Sequence, residues 1–289
     1  MAPTADGPPT GVPSHAVDNT AAAFPADQTQ PPRILITGAT SGLGRAMAEA
    51  LAGTGAHVVI TGRDPQRAAR AAGQIDAGRG RVHGIGMDVR DEQAVTAGVA
   101  RAVELLGGGP DMLVNNAGLG MRTVNPDFMT SPRGFWEVPA DGFRAVVDTN
   151  LTGYFLVARA VVPLFLAAGG GRIVNISLNE ETMVRRGFTP YGPSRAGSEA
   201  LSRIMAADLR DHGIWVNVLL PGGATRTGMI IDPVPAGLAD RLLDASVMAE
   251  PIRWLCSPAA EGVTDQRIVA RDFDAWLREH GSDPRKASS

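Results

Sequence analysis

A single doubly wound α/β domain built on a parallel sheet is the fold this sequence predicts, and three observations predict it. The chain has 289 residues, is 44% hydrophobic and carries a formal charge of −3, which suits one large core rather than two domains. Short apolar runs alternate with Ala-rich stretches of helical periodicity, the order that covers a parallel sheet on both faces. The first apolar run leads directly into a glycine-rich turn that opens a helix.

Composition narrows the partners. The near-neutral charge gives no electrostatic case for nucleic acid or an anionic membrane. No uninterrupted apolar run reaches the roughly 18–20 residues of a bilayer span. The N-terminus shows neither a basic n-region nor an apolar h-region, so a cytoplasmic protein is expected. Cys256 is the only cysteine, which rules out an internal disulfide and a cysteine-clustered metal site, and no metal is expected. Of 27 basic residues a single one, Lys286, is lysine.

Residues 1–32 are rich in Pro, Ala, Thr and Gly and predict a disordered tail, or a tail that folds over a neighbouring subunit. Order is expected from residue 33 to 271. Arg33–Thr37 reads as a strand, Gly38-Ala39-Thr40-Ser41-Gly42-Leu43-Gly44 as the turn, and the stretch to Ala52 as a helix. Such a turn lets backbone N–H groups and a helix N-terminus meet a pyrophosphate with no side chain in the way. A second strand, Ala56–Thr61, ends in Gly62-Arg63-Asp64. An acidic residue at this strand end would take a ribose 2′-hydroxyl, whereas an arginine would take a 2′-phosphate, so Arg63 favours NADP(H) over NAD(H). Alternatively, Arg63 is a plain surface charge and Asp64 caps the next helix.

A helix over residues 66–79 follows, then a third strand over 81–89 whose tip, Asp88-Val89, is expected beside the adenine. After a helix over 91–106 comes the strand Met112–Val114 with Asn115-Asn116-Ala117-Gly118 at its end. Buried asparagines need hydrogen-bonded amides, and a role tying neighbouring strands while flooring a nucleotide supplies them. Residues 119–138 form a long connection with Met121, Phe128, Phe135 and Trp136, a candidate substrate wall or a capping ornament. One long helix is expected over 140–168 with Asn150 inside it, where its amide competes for backbone groups. A strand over 171–177 leads to Tyr191-Gly192-Pro193-Ser194-Arg195, which opens a helix with Tyr191 and Arg195 on one face. Pro193 is tolerated because the first turn needs no N–H donors. Ile214–Leu220 is another strand, followed by Pro221-Gly222 and Thr225, Thr227. A helix over 249–256, a last strand over 262–270 and a short helix and polar tail over 272–289 complete the chain.

These residues, in this order and spacing, resemble the short-chain dehydrogenase/reductase family: Thr37-Gly38-x-x-x-Gly42-x-Gly44, Asp88, Asn115-Asn116-Ala117-Gly118, Asn150, Tyr191 and Pro221-Gly222, over roughly residues 33–270. The resemblance implies a Rossmann-type fold that binds a nicotinamide nucleotide through Gly38, Ser41, Gly42, Leu43, Gly44, Arg63, Asp88, Val89, Asn115, Ala117, Gly118, Tyr191, Arg195, Pro221, Gly222 and Thr227, with Thr225 in reserve. It implies Tyr191 as general acid in carbonyl reduction or base in alcohol oxidation, and Asn150 holding a water in the proton path. Arg195 stands where the family has lysine. A fixed cation there favours phenolate, but arginine cannot release a proton and its planar fork holds ribose hydroxyls differently. The family's carbonyl-binding serine lies thirteen positions before the tyrosine, which here is Leu178; Ser177 is one residue early and serves only if a bulge re-aims it, and otherwise the loop supplies the donor from Asn179 or Thr182, with Asn179 ranked first of the three. Residues 228–247 resemble the family's lid over a small-molecule substrate, and the helices at 140–168 and 190–211 suggest a homodimer or homotetramer. Two rival readings stand beside the oxidoreductase: a nucleotide-binding, redox-silent homologue with a regulatory or scaffolding role, and a lyase or isomerase that uses Tyr191 as acid-base.

Overall fold

The computed structural model describes residues 30–229, 237 and 239–280; the expected N-terminal tail up to residue 29, most of the lid's first half and the polar tail beyond residue 280 lie outside them. Seven strands make one sheet, β1 (Arg33–Ile36), β2 (His57–Gly62), β3 (Arg81–Gly86), β4 (Met112–Asn115), β5 (Gly171–Ile176), β6 (Ile214–Leu220) and β7 (Arg267–Val269). All pairings are parallel, and the order is β3-β2-β1-β4-β5-β6-β7. The doubly wound α/β fold is therefore as the sequence predicts. The order reverses between β1 and β4, and a crevice at the carboxyl ends of strands at such a switch point is where ligands bind in this architecture.

Two apolar layers flank the sheet. On one face α1 (Gly42–Gly53), α8 (Ala249–Leu255) and α9 (Phe273–His280) pack on Ile34, Ile36, Val58, Ile60, Val114 and Leu219. On the other, α3 (Glu92–Leu106), α5 (Gly153–Ala168) and α7 (Tyr191–Leu209) pack on Leu35, Val59, Leu113, Ile173 and Val216. β4 and β5, covered on both faces, are buried at every position and mostly apolar, and the polar Asn115, Arg172 and Asn175 they carry are hydrogen-bonded.

Several boundaries depart from expectation. The helix expected to run to residue 79 ends at Gly73 (α2, Pro65–Gly73), because Asp76 Oδ1 accepts from the Gly78 N–H and Gly78 takes φ +52, a turn that no helix continues through. The last strand covers only Arg267–Val269, since Asp265 turns back at φ +59. The helix over 140–168 is interrupted: α4 (Ala140–Val147) passes into a π turn at Asp148–Thr152 before α5 begins. Taken together this helix does match a membrane span in length and apolarity, with a mean hydropathy of 1.8 over its best window, contrary to what uninterrupted runs suggested. Its Val157, Val161 and Phe165 are buried against the sheet, while Phe155 and Leu166 stay exposed.

Candidate active site

The glycine turn follows β1, and each glycine answers a different demand. Gly38 has φ +62, and a Cβ there would stand 2.5 Å from the Ala117 Cα, so β1 and β4 approach with no room for a side chain. Gly42, at φ +59, would meet Thr227, and Gly44 would meet Asn116 and the Ala39 Cα at 2.8 Å. Helix α1 starts at Gly42, and the side chain of its N-cap Ser41 makes no capping bond. The first N–H groups of α1, including those of Leu43 and Gly44, therefore point at the crevice with no acidic side chain in the first turn. Thr37 Oγ1 accepts from the N–H groups of Asn116 and Ala117, each at 3.0 Å, and the Asn116 amide donates to the carbonyls of Thr37 and Gly38 at 2.9 Å. Asn116 is thus the strut that holds the turn in shape.

Asn115 makes the tie between neighbouring strands that its burial demands. Its side chain is fully buried and donates to Asn175 Oδ1 at 2.9 Å, and Asn175 donates in turn to Ser202 of α7. The amide ties β4 to β5. Ala117 and Gly118 lie at the crevice, against Gly38 and Arg195 respectively.

At the adenosine end, Arg63 is exposed at the tip of β2, and Asp64 Oδ1 caps α2 by accepting from Gln66 and Arg67. The Asp88 carboxylate is engaged by Arg90 at 2.6 Å, which holds it below the usual carboxylate range, with Arg63 adding to the effect. Val89 is buried, packed where Gly153 leaves it space. At the other side of the crevice, Pro221 and Gly222 follow β6; Gly222 has φ +91 and passes close to Val269. Thr225 is buried and its hydroxyl donates to the Gly223 carbonyl, whereas Thr227 lies against Gly42.

Tyr191 opens α7, half-buried, with its ring against the small apolar cluster of Met121, Val124 and Phe128 from the 119–138 connection. Gly192 is needed because a Cβ there would run into the Met183 carbonyl. Asn150 sits in the π turn, fully buried: Nδ2 donates to the Leu119 carbonyl and to Ser194 Oγ, both at 3.0 Å, and Oδ1 accepts from the Leu119 N–H at 2.8 Å. Ser194 Oγ in turn donates to the Tyr191 carbonyl. The π turn, a common device at functional sites, is what carries Asn150 inward from an otherwise regular helix. Arg195 is buried, and its Nη1 donates to Tyr154 Oη at 2.6 Å and to the Ile176 carbonyl at 2.8 Å. Burial opposes its charge, but Tyr154 and Tyr191 outweigh this, and its pKa lies above the ordinary arginine value.

A family model for short chain dehydrogenase matches residues 32–233. The chain belongs to the short-chain dehydrogenase family. It is 34% identical over 190 residues to gluconate 5-dehydrogenase of Gluconobacter oxydans, covering 66% of this chain and 70% of that one. It is 29% identical to a 3-oxoacyl-(acyl-carrier-protein) reductase of Aquifex aeolicus, covering 81% and 93%. Among solved structures, a 3-ketoacyl-(acyl-carrier-protein) reductase from Brucella melitensis complexed with NADH matches with a TM-score of 0.70 and 30% identity, over 82% of this chain and 95% of that one. Membership makes the protein an oxidoreductase of the carbonyl–alcohol type that uses a nicotinamide nucleotide.

In this member of the short-chain dehydrogenase family the segment between β5 and α7 holds Ser177, Leu178 and Asn179. Ser177 is buried and its Oγ has no hydrogen-bond partner. Leu178 is buried, its carbonyl accepting from Arg267. Asn179 stands at the N-cap of α6 (Glu180–Met183) without capping it, half-buried and with its amide unengaged; Thr182 lies inside that short helix. The Tyr191 hydroxyl lies 4.0 Å from Met229 Sδ, at the described edge of the lid, and Arg122 Nη1 donates to the Gly228 carbonyl. A cavity of about 310 Å³ is lined by Phe135, Val138, Ala140, Phe143, Arg144 and Thr189. Sequence reasoning gave no role to Ser194 or Tyr154, whose contacts with Asn150 and Arg195 join segments 44 and 41 residues apart in the chain.

Proposed function

We propose that this chain is an NADP(H)-dependent oxidoreductase that interconverts a carbonyl and a secondary alcohol on a small organic molecule. The observation that carries the proposal is the convergence, at the switch point of the sheet, of a helix N-terminus without a side-chain cap with Tyr191 and a buried cation, Arg195. The turn fits a pyrophosphate, because Gly38 and Gly44 let it fold close against Ala117, Ala39 and Asn116 and the first turn of α1 carries neither a side-chain cap nor an acidic residue. Preference for NADP(H) rests on exposed Arg63 at the tip of β2, with the nearby Asp88 carboxylate already committed to Arg90.

The bound nucleotide would supply or accept the hydride. Tyr191 donates the proton to the carbonyl oxygen in reduction and takes it back in oxidation. Arg195 orients the ribose and favours the phenolate of Tyr191 by its fixed charge. Asn150, with one Oδ1 lone pair beyond its bond to Leu119, holds the relay water. Gly38, Ser41, Gly42, Leu43, Gly44, Asp88, Val89, Asn115, Ala117, Gly118, Pro221, Gly222 and Thr227 surround the nucleotide, Asn115 by its main chain. Asn179 takes the carbonyl-binding role that Leu178 cannot, supported by its unengaged amide and by the enclosure of Ser177. The aromatic residues Phe135 and Trp136, 71% and 77% exposed, wall the substrate side with Met229. Exposed Phe155 and Leu166 on α5 and Ile204 on α7 support a homodimer or homotetramer, and the protein acts in the cytoplasm.

The redox-silent reading is favoured by one observation, that Arg195 Nη1 is engaged by Tyr154 and the Ile176 carbonyl. A direct NADPH and NADH titration, run beside NADPH oxidation with a panel of ketones and sugars, separates the two. NADPH should bind at least tenfold tighter than NADH, Arg63→Ala should remove the difference, and Tyr191→Phe should abolish turnover. Equal affinities for the two nucleotides sink the Arg63 argument, and tight NADPH binding with no turnover of any substrate supports the silent homologue.

A further inference from the structure

The chain has two tyrosines, and one guanidinium lies between them. Arg195 Cζ is 5.5 Å from the centroid of the Tyr154 ring and 5.6 Å from that of Tyr191. Tyr154 Oη accepts from Arg195 Nη1 and donates to the Ile176 carbonyl at 3.1 Å, and the same carbonyl accepts from Nη1. The three groups close a buried triangle at the end of β5, between α5 and α7. On its opposite side the guanidinium is pressed against Gly118, where any Cβ would collide with Nη2. Arg195 Nε has no hydrogen-bond partner, so the fork is held through its Nη atoms and the two rings.

We propose that Tyr154 is a positioning residue for the reaction, whose hydroxyl clamps Arg195 so that an arginine can serve beside Tyr191. The proposal rests on the reading of the site given above. An arginine side chain is long and its planar fork needs acceptors when buried; without a fixed one, several rotamers compete. The chemistry of the acceptor matters as well. A carboxylate in this place would cancel the charge that Arg195 presents to Tyr191, whereas a neutral phenol fixes the fork and leaves the charge intact. Burial pushes the Tyr154 hydroxyl above the ordinary tyrosine value, which keeps it protonated, although Arg195 works in the other direction.

The clamp is specific to the fork, so its loss should depend on which cation stands at position 195. Wild type, Tyr154→Phe, Arg195→Lys and the double variant are compared by NADPH titration and by kcat and KM. Phenylalanine keeps the ring and removes only the acceptor. Tyr154→Phe should weaken NADPH binding and lower kcat about tenfold in the arginine background, the scale of a hydrogen bond to a charged group. In the lysine background the same substitution should change either quantity less than about twofold. Gly118→Ala, which pushes the same fork from the other side, should likewise cost more beside arginine than beside lysine. Melting temperatures of all variants identify any that fail to fold, and if Tyr154→Phe is one, the Gly118 pair decides. Equal losses in both backgrounds mean that Tyr154 is only a packing element and overturn the clamp alone. A folded wild type with no measurable NADPH affinity overturns the reading of the site and the clamp with it.

Discussion

Replacing Gly38 by alanine probes the junction on which the site depends. The residue sits at φ +62, a conformation that costs a non-glycine residue about 1–2 kcal/mol. Its new Cβ would lie 2.5 Å from the Ala117 Cα, against an ordinary carbon contact of roughly 3.5–4.0 Å, and the obstacle is backbone that cannot rotate away. Overpacking of this kind costs about 1–3 kcal/mol, for a sum of about 2–5 kcal/mol. For a domain of this size that lowers the melting temperature by roughly 4–20 °C, short of unfolding it at room temperature. To relieve the contact, the β1 and β4 turns must part, which strains the bonds from the Asn116 amide to the Thr37 and Gly38 carbonyls and opens the nucleotide cradle. NADPH affinity, measured by titration at a temperature where the variant is folded, should fall more than tenfold. The control is Gly53→Ala at the end of α1, where a Cβ meets nothing within 4 Å; it should stabilise by about 0.5–1 kcal/mol, because glycine is the poorer helix residue. A Gly38→Ala protein that melts with wild type and binds NADPH equally well would refute the reasoning.

Other consequences are equally direct. Asn179→Ala should reduce kcat about 100-fold or more if its amide polarises the carbonyl, with NADPH affinity unchanged; a variant with wild-type kcat moves the donor to Thr182 or elsewhere. Burial pushes the Cys256 thiol up to about 12, so it should resist aromatic disulfide reagents at pH 8 in the native protein and react on unfolding. Since its folded pKa exceeds the unfolded value of about 8.5, the native state holds that proton more tightly. The associated stability is complete below that pH and is lost as pH rises toward about 12, so urea midpoints should fall less between pH 8.5 and 10.5 in Cys256→Ala than in wild type.

Much of this protein was legible in its sequence because the relevant signals are local. An apolar run followed by Gly38-x-x-x-Gly42-x-Gly44 specifies strand, turn and helix start within a dozen residues, and several further apolar runs alternating with helices are satisfied by a sheet covered on both faces. Asp64 and Asp91 announce their helices by capping them. What the tertiary structure alone decided are the partners of buried polar groups. The type of Asn115 required a hydrogen bond, but only the register of β4 against β5 assigns it to Asn175. Nothing around Tyr154 in the chain indicates that its hydroxyl meets Arg195, 41 residues away, and no local pattern marks the π turn that brings Asn150 inward. Periodicity reports which face of an element is buried, because burial is an average over many weak contacts. A single hydrogen bond depends on where two distant backbones come to rest, and that is set by the packing of the whole domain.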